Sequence, residues 1–177
     1  MIGSTMEADR AQAIAERVHV GERDPDGTPV LVHVVRMVRA TPAEARAVAW
    51  LHEVLERGAA TEHELLADGL SSDELRALRL VTSPSWTRSG HAYLGHIDLI
   101  ARAAGPSGDL ARTVKLADVR DGCLHPRESA DGWSPPYAEG LRRLRATSGR
   151  RRFAAAVAAT ARPLPLHRAG AAFVGTA

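Results

Sequence analysis

A histidine and two carboxylates stand within a short, otherwise apolar stretch of the chain. Residues 51–56 read LHEVLE. An unpaired charge in a buried helix is costly, so such side chains are normally paired or bound to a metal ion. His52 and Glu53 lie about 100° apart around a helix, where both can reach one ion, and Glu56 lies one turn further on. The pattern indicates a divalent-metal site, although His-Glu pairs are also common on helix surfaces.

Two further metal-binding side chains stand alone among aliphatic residues. His33 lies in the segment PVLVHVV, and Asp118 lies in the segment VKLADV. If their helices converge with residues 51–56, two imidazoles and two carboxylates meet at one point. This mixture of nitrogen and oxygen donors suits manganese, iron, zinc or magnesium. Taken singly, each histidine is more typical of a hydrogen-bonded core residue.

The elements that carry these residues are predicted to be helices. Apolar residues at helical spacing predict helices over residues 8–18 and 30–39, although the valines of the second segment also fit a strand. Between them the stretch GERDPDGTP has the glycines, prolines and charges of a loop.

Three capping boxes, each a Ser or Thr three residues before a Glu, predict the next helix starts. They are Thr41 with Glu44, Thr61 with Glu64, and Ser71 with Glu74. The first is followed by a proline at the first helical position and predicts a helix over 42–57. Further helices are predicted over 91–104, 110–119, 137–146 and 153–161. The predicted fold is all-α, a single helical bundle.

Composition excludes several classes of protein. The chain of 177 residues has 23 Lys and Arg against 21 Asp and Glu, a net charge of +2, and one cysteine. One cysteine rules out a disulfide framework and a four-cysteine zinc module. Acidic residues are interleaved with the basic ones, so no extended basic patch is expected. Nucleic acid is therefore not expected as a partner.

The expected organisation is one helical domain over residues 8–162, with an N-terminal tail over 1–7 and a flexible C-terminal tail over 163–177. No stretch approaches the roughly 18 apolar residues of a membrane span, and the first residues do not resemble a signal peptide. We therefore expect a cytoplasmic protein with no membrane partner. The oligomeric state does not follow from the sequence.

The order of these motifs resembles the HD-domain metal-dependent phosphohydrolases, in particular the subgroup related to the (p)ppGpp hydrolases. The matching order is His33, then LHEVLE, then TVKLADVRD over residues 113–121. The subgroup also has a loop of the form H-x-G-Q-x-x-x-x-G-x-P-Y-x-x-H. This chain reads HVGE from His19, then GTPV over 27–30, then His33. The similarity spans about residues 8–145.

The resemblance implies an HD-domain-like bundle in which His33, His52, Glu53 and Asp118 hold a divalent ion, most often manganese. It implies that Glu56 positions or deprotonates a metal-bound water that attacks a nucleotide or another small phosphorylated compound.

Three residues outside the ion's ligands are candidate substrate contacts. His19 at the loop edge could bind phosphate or cap a helix carbonyl. Lys115, the only lysine, could bind a phosphate, pair with a nearby acid or lie at the surface. Tyr93 falls where the subgroup often has a tyrosine near the substrate, although packing explains a half-buried tyrosine equally well. The remaining histidines, at 63, 91, 96, 125 and 167, are interpreted as solvent residues.

Several positions depart from the family pattern. The defining aspartate is Glu53, the second acid after Glu56 is Arg57, and the asparagine after the last aspartate is Gly122. The basic pair that receives the guanine nucleotide is replaced by Asp24 and a proline. These changes argue against ppGpp as the substrate. They leave two hypotheses: a divalent-metal phosphohydrolase, or a catalytically degenerate module of the same fold that binds a ligand or a protein.

Overall fold

Helices account for most of the chain in the computed structural model, which describes residues 6–83, 89–126 and 132–147. The elements are α1 Ala8–Val18, α2 Val30–Arg39, a 3-10 turn Ala43–Ala45, α3 Arg46–Glu56, α4 Glu62–Ala67, α5 Ser72–Val81, α6 Gly90–Arg102 and α7 Gly105–Leu124. Residues 137–147 are also helical and are called α8. Within these ranges the extended pairing is limited to one bridge, between Arg23 and Pro29. The predicted all-α bundle is confirmed.

Helix α3 lies at the centre of the bundle. It packs against α1, α2, α5 and α7, and every residue from Ala47 to Val54 is buried. A helix that is apolar on all sides is expected in the core rather than at the surface. His52 and Glu53 belong to this buried run, so the pair is an interior one and not a surface pair.

Two of the three predicted capping boxes form as expected. Thr61 and Ser71 each accept a hydrogen bond from the backbone of the glutamate three residues on, and each glutamate side chain accepts one in return. The prediction at Thr41 is wrong. Its hydroxyl donates to the Met37 carbonyl at the end of α2, so it is not free to cap the next helix. A 3-10 turn follows, and α3 begins only at Arg46.

Helix α7 is twice as long as the predicted helix over 110–119, with 20 residues. The helix before Gly105 ends at Arg102, close to its predicted end at 104, and Gly105 begins α7. Pro106 lies in the first turn, where its missing N–H is not needed. The extra length places both Asp118 and Asp121 on one continuous helix.

The loop between α1 and α2 is held in a defined shape. The Gly27 amide donates to the Asp24 carbonyl (2.8 Å), and the Asp24 amide donates to the Thr28 carbonyl (2.9 Å). The sequence Asp-Pro-Asp-Gly has the residue preferences of a tight turn, and Gly27 adopts a positive φ of 84°. The turn fixes Asp24, which is 9% exposed, against the body of the protein.

The predicted helix over 153–161, most of the tail over 1–7, the tail over 163–177 and the domain boundary at 162 lie outside the described residues. Among the helices that are described, none is long and apolar enough to cross a membrane.

Candidate metal centre

Three mutually packed helices, α2, α3 and α7, bring His33, His52, Glu53 and Asp118 together. The two imidazole Nε2 atoms lie 3.2 Å apart. The Glu53 Oε1 atom lies 3.7 Å from His33 Nε2 and 3.6 Å from His52 Nε2, and Asp118 Oδ1 lies 3.5 Å from His33 Nε2. His33, His52 and Glu53 therefore form one buried group of donor atoms, and Asp118 lies next to His33.

These separations are close to those of atoms that share a metal ion. Two ligands each about 2.1 Å from one ion lie roughly 3.0–3.5 Å apart at octahedral or tetrahedral angles. The separations of 3.2 Å and 3.5 Å lie within that range, and those of 3.6 Å and 3.7 Å lie just above it. The buried group of His33, His52 and Glu53 has the donor types and spacing that could hold an ion.

The hydrogen bonds of the two imidazoles fix which ring nitrogen carries a proton. His52 Nδ1 lies 2.8 Å from the Ala49 carbonyl oxygen, which can only accept, so Nδ1 donates. His33 Nδ1 lies 2.7 Å from Asp121 Oδ2. Asp121 also accepts two hydrogen bonds from Arg36. In neutral rings both Nε2 atoms then present lone pairs, and two lone pairs at 3.2 Å call for a cation or a proton between them.

The electrostatic environment of the centre attracts positive charge. Burial lowers the pKa of His52, but the neighbouring carboxylates of Glu53 and Asp118 outweigh burial, so the pKa is raised. Burial also raises the pKa of Asp121, but His33 and Arg36 outweigh it and hold that pKa well below its usual range. Asp121 is thus a carboxylate that orients His33, as outer partners of metal-bound histidines usually do.

Each of the two ligand carboxylates has its second oxygen held by a cation. Arg57 Nε donates to Glu53 Oε2 at 2.8 Å, and Arg57 Nη2 donates to Asp24 Oδ1 at 2.6 Å. Lys115 Nζ donates to Asp118 Oδ2 at 2.7 Å. Burial lowers the pKa of Lys115, but Asp118, Glu56 and Glu53 outweigh it and raise that pKa. Lys115 is buried and pairs with an acid, as one of its predicted alternatives states.

The charged side chains around the centre carry an excess of two negative charges, which a divalent cation would neutralise. The linked carboxylates are Asp24, Glu53, Glu56, Asp118 and Asp121, and the linked cations are Arg36, Arg57 and Lys115. Five negative charges against three positive charges leave two negative charges, with both histidines neutral.

Glu56 lies at the edge of this cluster. It keeps exposed surface, and its carboxylate accepts a hydrogen bond from the Ser83 amide at 3.1 Å. Its pKa is raised, first by partial loss of hydration and then by the Glu53 and Asp118 charges, while Lys115 and Ser83 act in the opposite direction. Glu56 is therefore electrostatically coupled to the metal donors without being one of them.

Two predicted substrate contacts are not brought to the donors by any described contact. His19 is buried at the start of the loop, and its Nδ1 lies 2.7 Å from Glu22 Oε2. Its Nε2 is buried without a hydrogen-bond partner in the described part of the chain. Tyr93 is buried on α6 and packs edge-to-face against Tyr137, with 6.2 Å between ring centroids.

The position of the family asparagine is filled by another part of the chain. A Cβ atom at Gly122 would overlap the ring of Tyr137 on α8. Gly122 is thus required by packing in this protein, and no side chain from that position reaches the centre.

Several polar residues in and near the centre were not predicted from the sequence to lie there. Asp121 stands one turn after Asp118, and Arg36 stands one turn after His33, which is the helical spacing that could have indicated both. His96 was interpreted as a solvent residue, which is wrong. It is 5% exposed and its Nε2 donates to the Leu80 carbonyl at 2.8 Å. The histidines at 63, 91 and 125 are exposed as predicted, and the one at 167 lies outside the described residues.

No protein-family model and no curated protein matches the chain. The candidate metal centre therefore rests on its geometry and charge.

Proposed function

We propose that this protein is a divalent-metal-dependent phosphohydrolase of the HD-domain type, acting on a nucleotide or another small phosphorylated compound, with manganese as the metal. The observation that carries the proposal is the pair of imidazole lone pairs, 3.2 Å apart and faced by the carboxylates of Glu53 and Asp118. The motif order in the sequence supports the choice of family.

The residues present fit a metal ion of this kind. His33, His52, Glu53 and Asp118 would hold it, with two nitrogens and two oxygens as donors. Imidazole ligands suit iron or zinc, carboxylate ligands suit manganese or magnesium, and this centre combines the two kinds. When bound, such an ion supplies a water of lowered pKa and a positive charge next to phosphate oxygens.

Glu56 is the proposed proton acceptor. A base works best when its pKa is close to the working pH, and the surroundings of Glu56 raise its pKa. Its exposed surface leaves it accessible to a water or a substrate. Lys115 helps to keep Glu56 charged, so Glu56 can accept a proton and return it to the leaving group.

The test is hydrolysis of a panel of nucleotides and phosphomonoesters with Mn²⁺, by the wild type and Glu56→Gln. We expect Glu56→Gln to retain Mn²⁺ and to lose on the order of 100-fold in kcat. Asp98 on α6 is a half-buried carboxylate that pairs with Arg143, and Asp98→Asn is the control, with kcat unchanged. Equal kcat in Glu56→Gln and the wild type would contradict the role of Glu56.

A second candidate is a metal-binding module of the same fold without hydrolytic activity. It is favoured by the overlap between a Gly122 side chain and Tyr137, which prevents the family asparagine from being present. Stoichiometric Mn²⁺ binding without turnover of any compound in the panel would favour this candidate.

A further inference from the structure

The three departures from the family pattern at Glu53, Arg57 and Asp24 are in direct contact. Arg57 lies between the two acids and donates to both, at 2.8 Å and 2.6 Å. The side chains of Glu53 and Asp24 are both 8% exposed. A loop residue and a helix residue 33 positions apart are thus joined to the acid that faces the two imidazoles.

This contact decides how Glu53 can bind an ion. Its Oε1 faces the imidazoles, and its Oε2 accepts from Arg57. Turning both oxygens toward an ion would move Oε2 from its present position and compete with the bond to Arg57, which also holds Asp24. The turn around Gly27, which holds Asp24 in place, opposes that movement. Glu53 is therefore held as a ligand through one oxygen.

Lys115 constrains Asp118 in the same way. Asp118 Oδ1 faces His33, while Asp118 Oδ2 accepts from the buried ammonium group. Among the residues that the structure describes, the centre then offers two nitrogens and two carboxylate oxygens. Ca²⁺ takes six to eight oxygen ligands and commonly uses both oxygens of a carboxylate. Smaller transition-metal ions accept fewer, mixed ligands.

We propose that Arg57, anchored by Asp24, is a positioning residue that restricts Glu53 to one-oxygen ligation, and that with Lys115 it makes the centre select Mn²⁺ against Ca²⁺. The inference rests on the proposed metal centre. It concerns the selectivity of that centre and assigns a role to the two residues that replace the family's nucleotide-binding and acidic positions.

The experiment measures Kd for Mn²⁺ and for Ca²⁺ by calorimetry in the wild type and in Arg57→Gln. Loss of an outer partner typically weakens metal binding about 10- to 100-fold. We expect Arg57→Gln to weaken Mn²⁺ binding about tenfold and to lower the ratio of Ca²⁺ Kd to Mn²⁺ Kd, because Glu53 Oε2 is freed.

Arg143 provides a matched control. Its Nε donates to Glu139 four residues earlier, and its Nη1 donates to Asp98 on another helix, both at 2.7 Å. Its side chain is 32% exposed, against 29% for Arg57. Arg143→Gln removes the same interactions at a site with no imidazoles, so both Kd values should stay as in the wild type.

Two further variants keep the result interpretable if Arg57→Gln folds poorly. Arg57→Lys retains the charge but reaches one acid at a time, so its Kd ratio should be intermediate. As a single substitution, Asp24→Asn should lower the ratio of Ca²⁺ Kd to Mn²⁺ Kd. Added to Arg57→Gln it should have little further effect, because Asp24 acts on Glu53 through Arg57.

The outcomes separate the inference from the function on which it rests. Mn²⁺ binding by the wild type with an unchanged Kd ratio in Arg57→Gln and Arg57→Lys would overturn the inference and leave the metal centre intact. Failure of the wild type to bind Mn²⁺ would overturn the metal centre and the inference with it.

Discussion

Two arginines of this protein bridge a pair of acids in almost the same way. Arg57 joins Glu53 and Asp24, and Arg143 joins Glu139 and Asp98. In each case the first acid lies four residues earlier in sequence and the second lies on a different element. The two arginines are also similarly exposed, at 29% and 32%.

The acids that the two arginines hold differ in what else they face. Glu139 and Asp98 are about one-third exposed, at 32% and 31%, and water screens their charges. Glu53 and Asp24 are 8% exposed, and Glu53 faces two imidazoles. The same bridge is thus a surface ion pair in one place and part of a buried charged cluster in the other. The bridge by itself therefore does not indicate a functional site. The burial of Glu53 and the two imidazoles that it faces do.

Replacement of His33 should have the largest effect, because it removes one of the two imidazoles that Glu53 faces. In His33→Asn the shorter amide can still donate to Asp121, but the nitrogen that faces His52 is lost. We expect Mn²⁺ binding to weaken by at least about 100-fold, more than the loss of an outer partner. Calorimetric titration measures it, with circular dichroism to show that the helices are retained. Wild-type affinity in this variant would exclude His33 as a ligand.

Mn²⁺ should stabilise the fold when the buried cluster is intact, whether or not the bridge at Arg143 is present. A ligand that binds only the folded state at 100 times its Kd stabilises that state by about 2.7 kcal/mol. We expect Mn²⁺ to raise the free energy of unfolding by about this amount in the wild type and in Arg143→Gln, and not in His33→Asn. Urea unfolding with Mn²⁺ and with a chelator gives the difference. An equal effect of Mn²⁺ on all three proteins would indicate non-specific binding.

Packing at Gly122 provides a change that affects stability without touching the charged cluster. A Cβ atom there would overlap the Tyr137 ring, so Gly122→Ala should destabilise the protein by about 1–3 kcal/mol. Truncation of the ring in Gly122→Ala/Tyr137→Ala should remove the overlap and reduce the additional cost of the alanine. Chemical denaturation of the four proteins in this cycle measures it, and full additivity would show that the two residues do not collide.

The smallest effect concerns the bridge at Arg143, whose contribution to stability is lost at low pH. Arg142 and Arg143 lower the pKa of Glu139 from 4.5 to about 2. A lowered pKa stabilises the fold above the unfolded value of 4.5, and this contribution is lost as pH falls toward 2. In Arg143→Gln the pKa of Glu139 should rise, although Arg142 still keeps it below 4.5.

NMR titration of the Glu139 carboxyl carbon measures this pKa directly. The difference in unfolding free energy between the wild type and Arg143→Gln should be largest above pH 4.5 and should shrink as pH approaches 2. A difference that grows on acidification would have the wrong sign for this pair.

The all-α fold was predictable because it depends on local patterns, whereas the approach of His33, His52 and Glu53 to one another depends on how the helices pack. Helical spacing of apolar residues predicts α1 and α2 with their observed bounds, and isolated polar residues on apolar helices must find partners in the core. Thr41 was mispredicted because its hydroxyl has two possible partners, and the carbonyl of Met37 binds it. Sequence spacing alone does not decide such a competition.

The contact between Arg57 and Asp24 was not predictable from spacing, although Arg57 lies four residues after Glu53 and Lys115 lies three residues before Asp118. Arg57 reads as the loss of a family acid, and Asp24 as the loss of a family base, until the structure shows that they bind each other. Their separation of 33 residues leaves no local signal. Likewise, Gly122 reads as a lost asparagine, whereas its lack of a side chain makes room for Tyr137.

The most direct test of the metal centre is the metal content of the purified protein. Wild type and His52→Asn, in which the amide can still donate to the Ala49 carbonyl, would be equilibrated with Mn²⁺, dialysed and measured by elemental mass spectrometry. Near-stoichiometric manganese in the wild type and little in His52→Asn is the predicted result. No manganese in the wild type, or equal manganese in both proteins, would contradict the proposed centre.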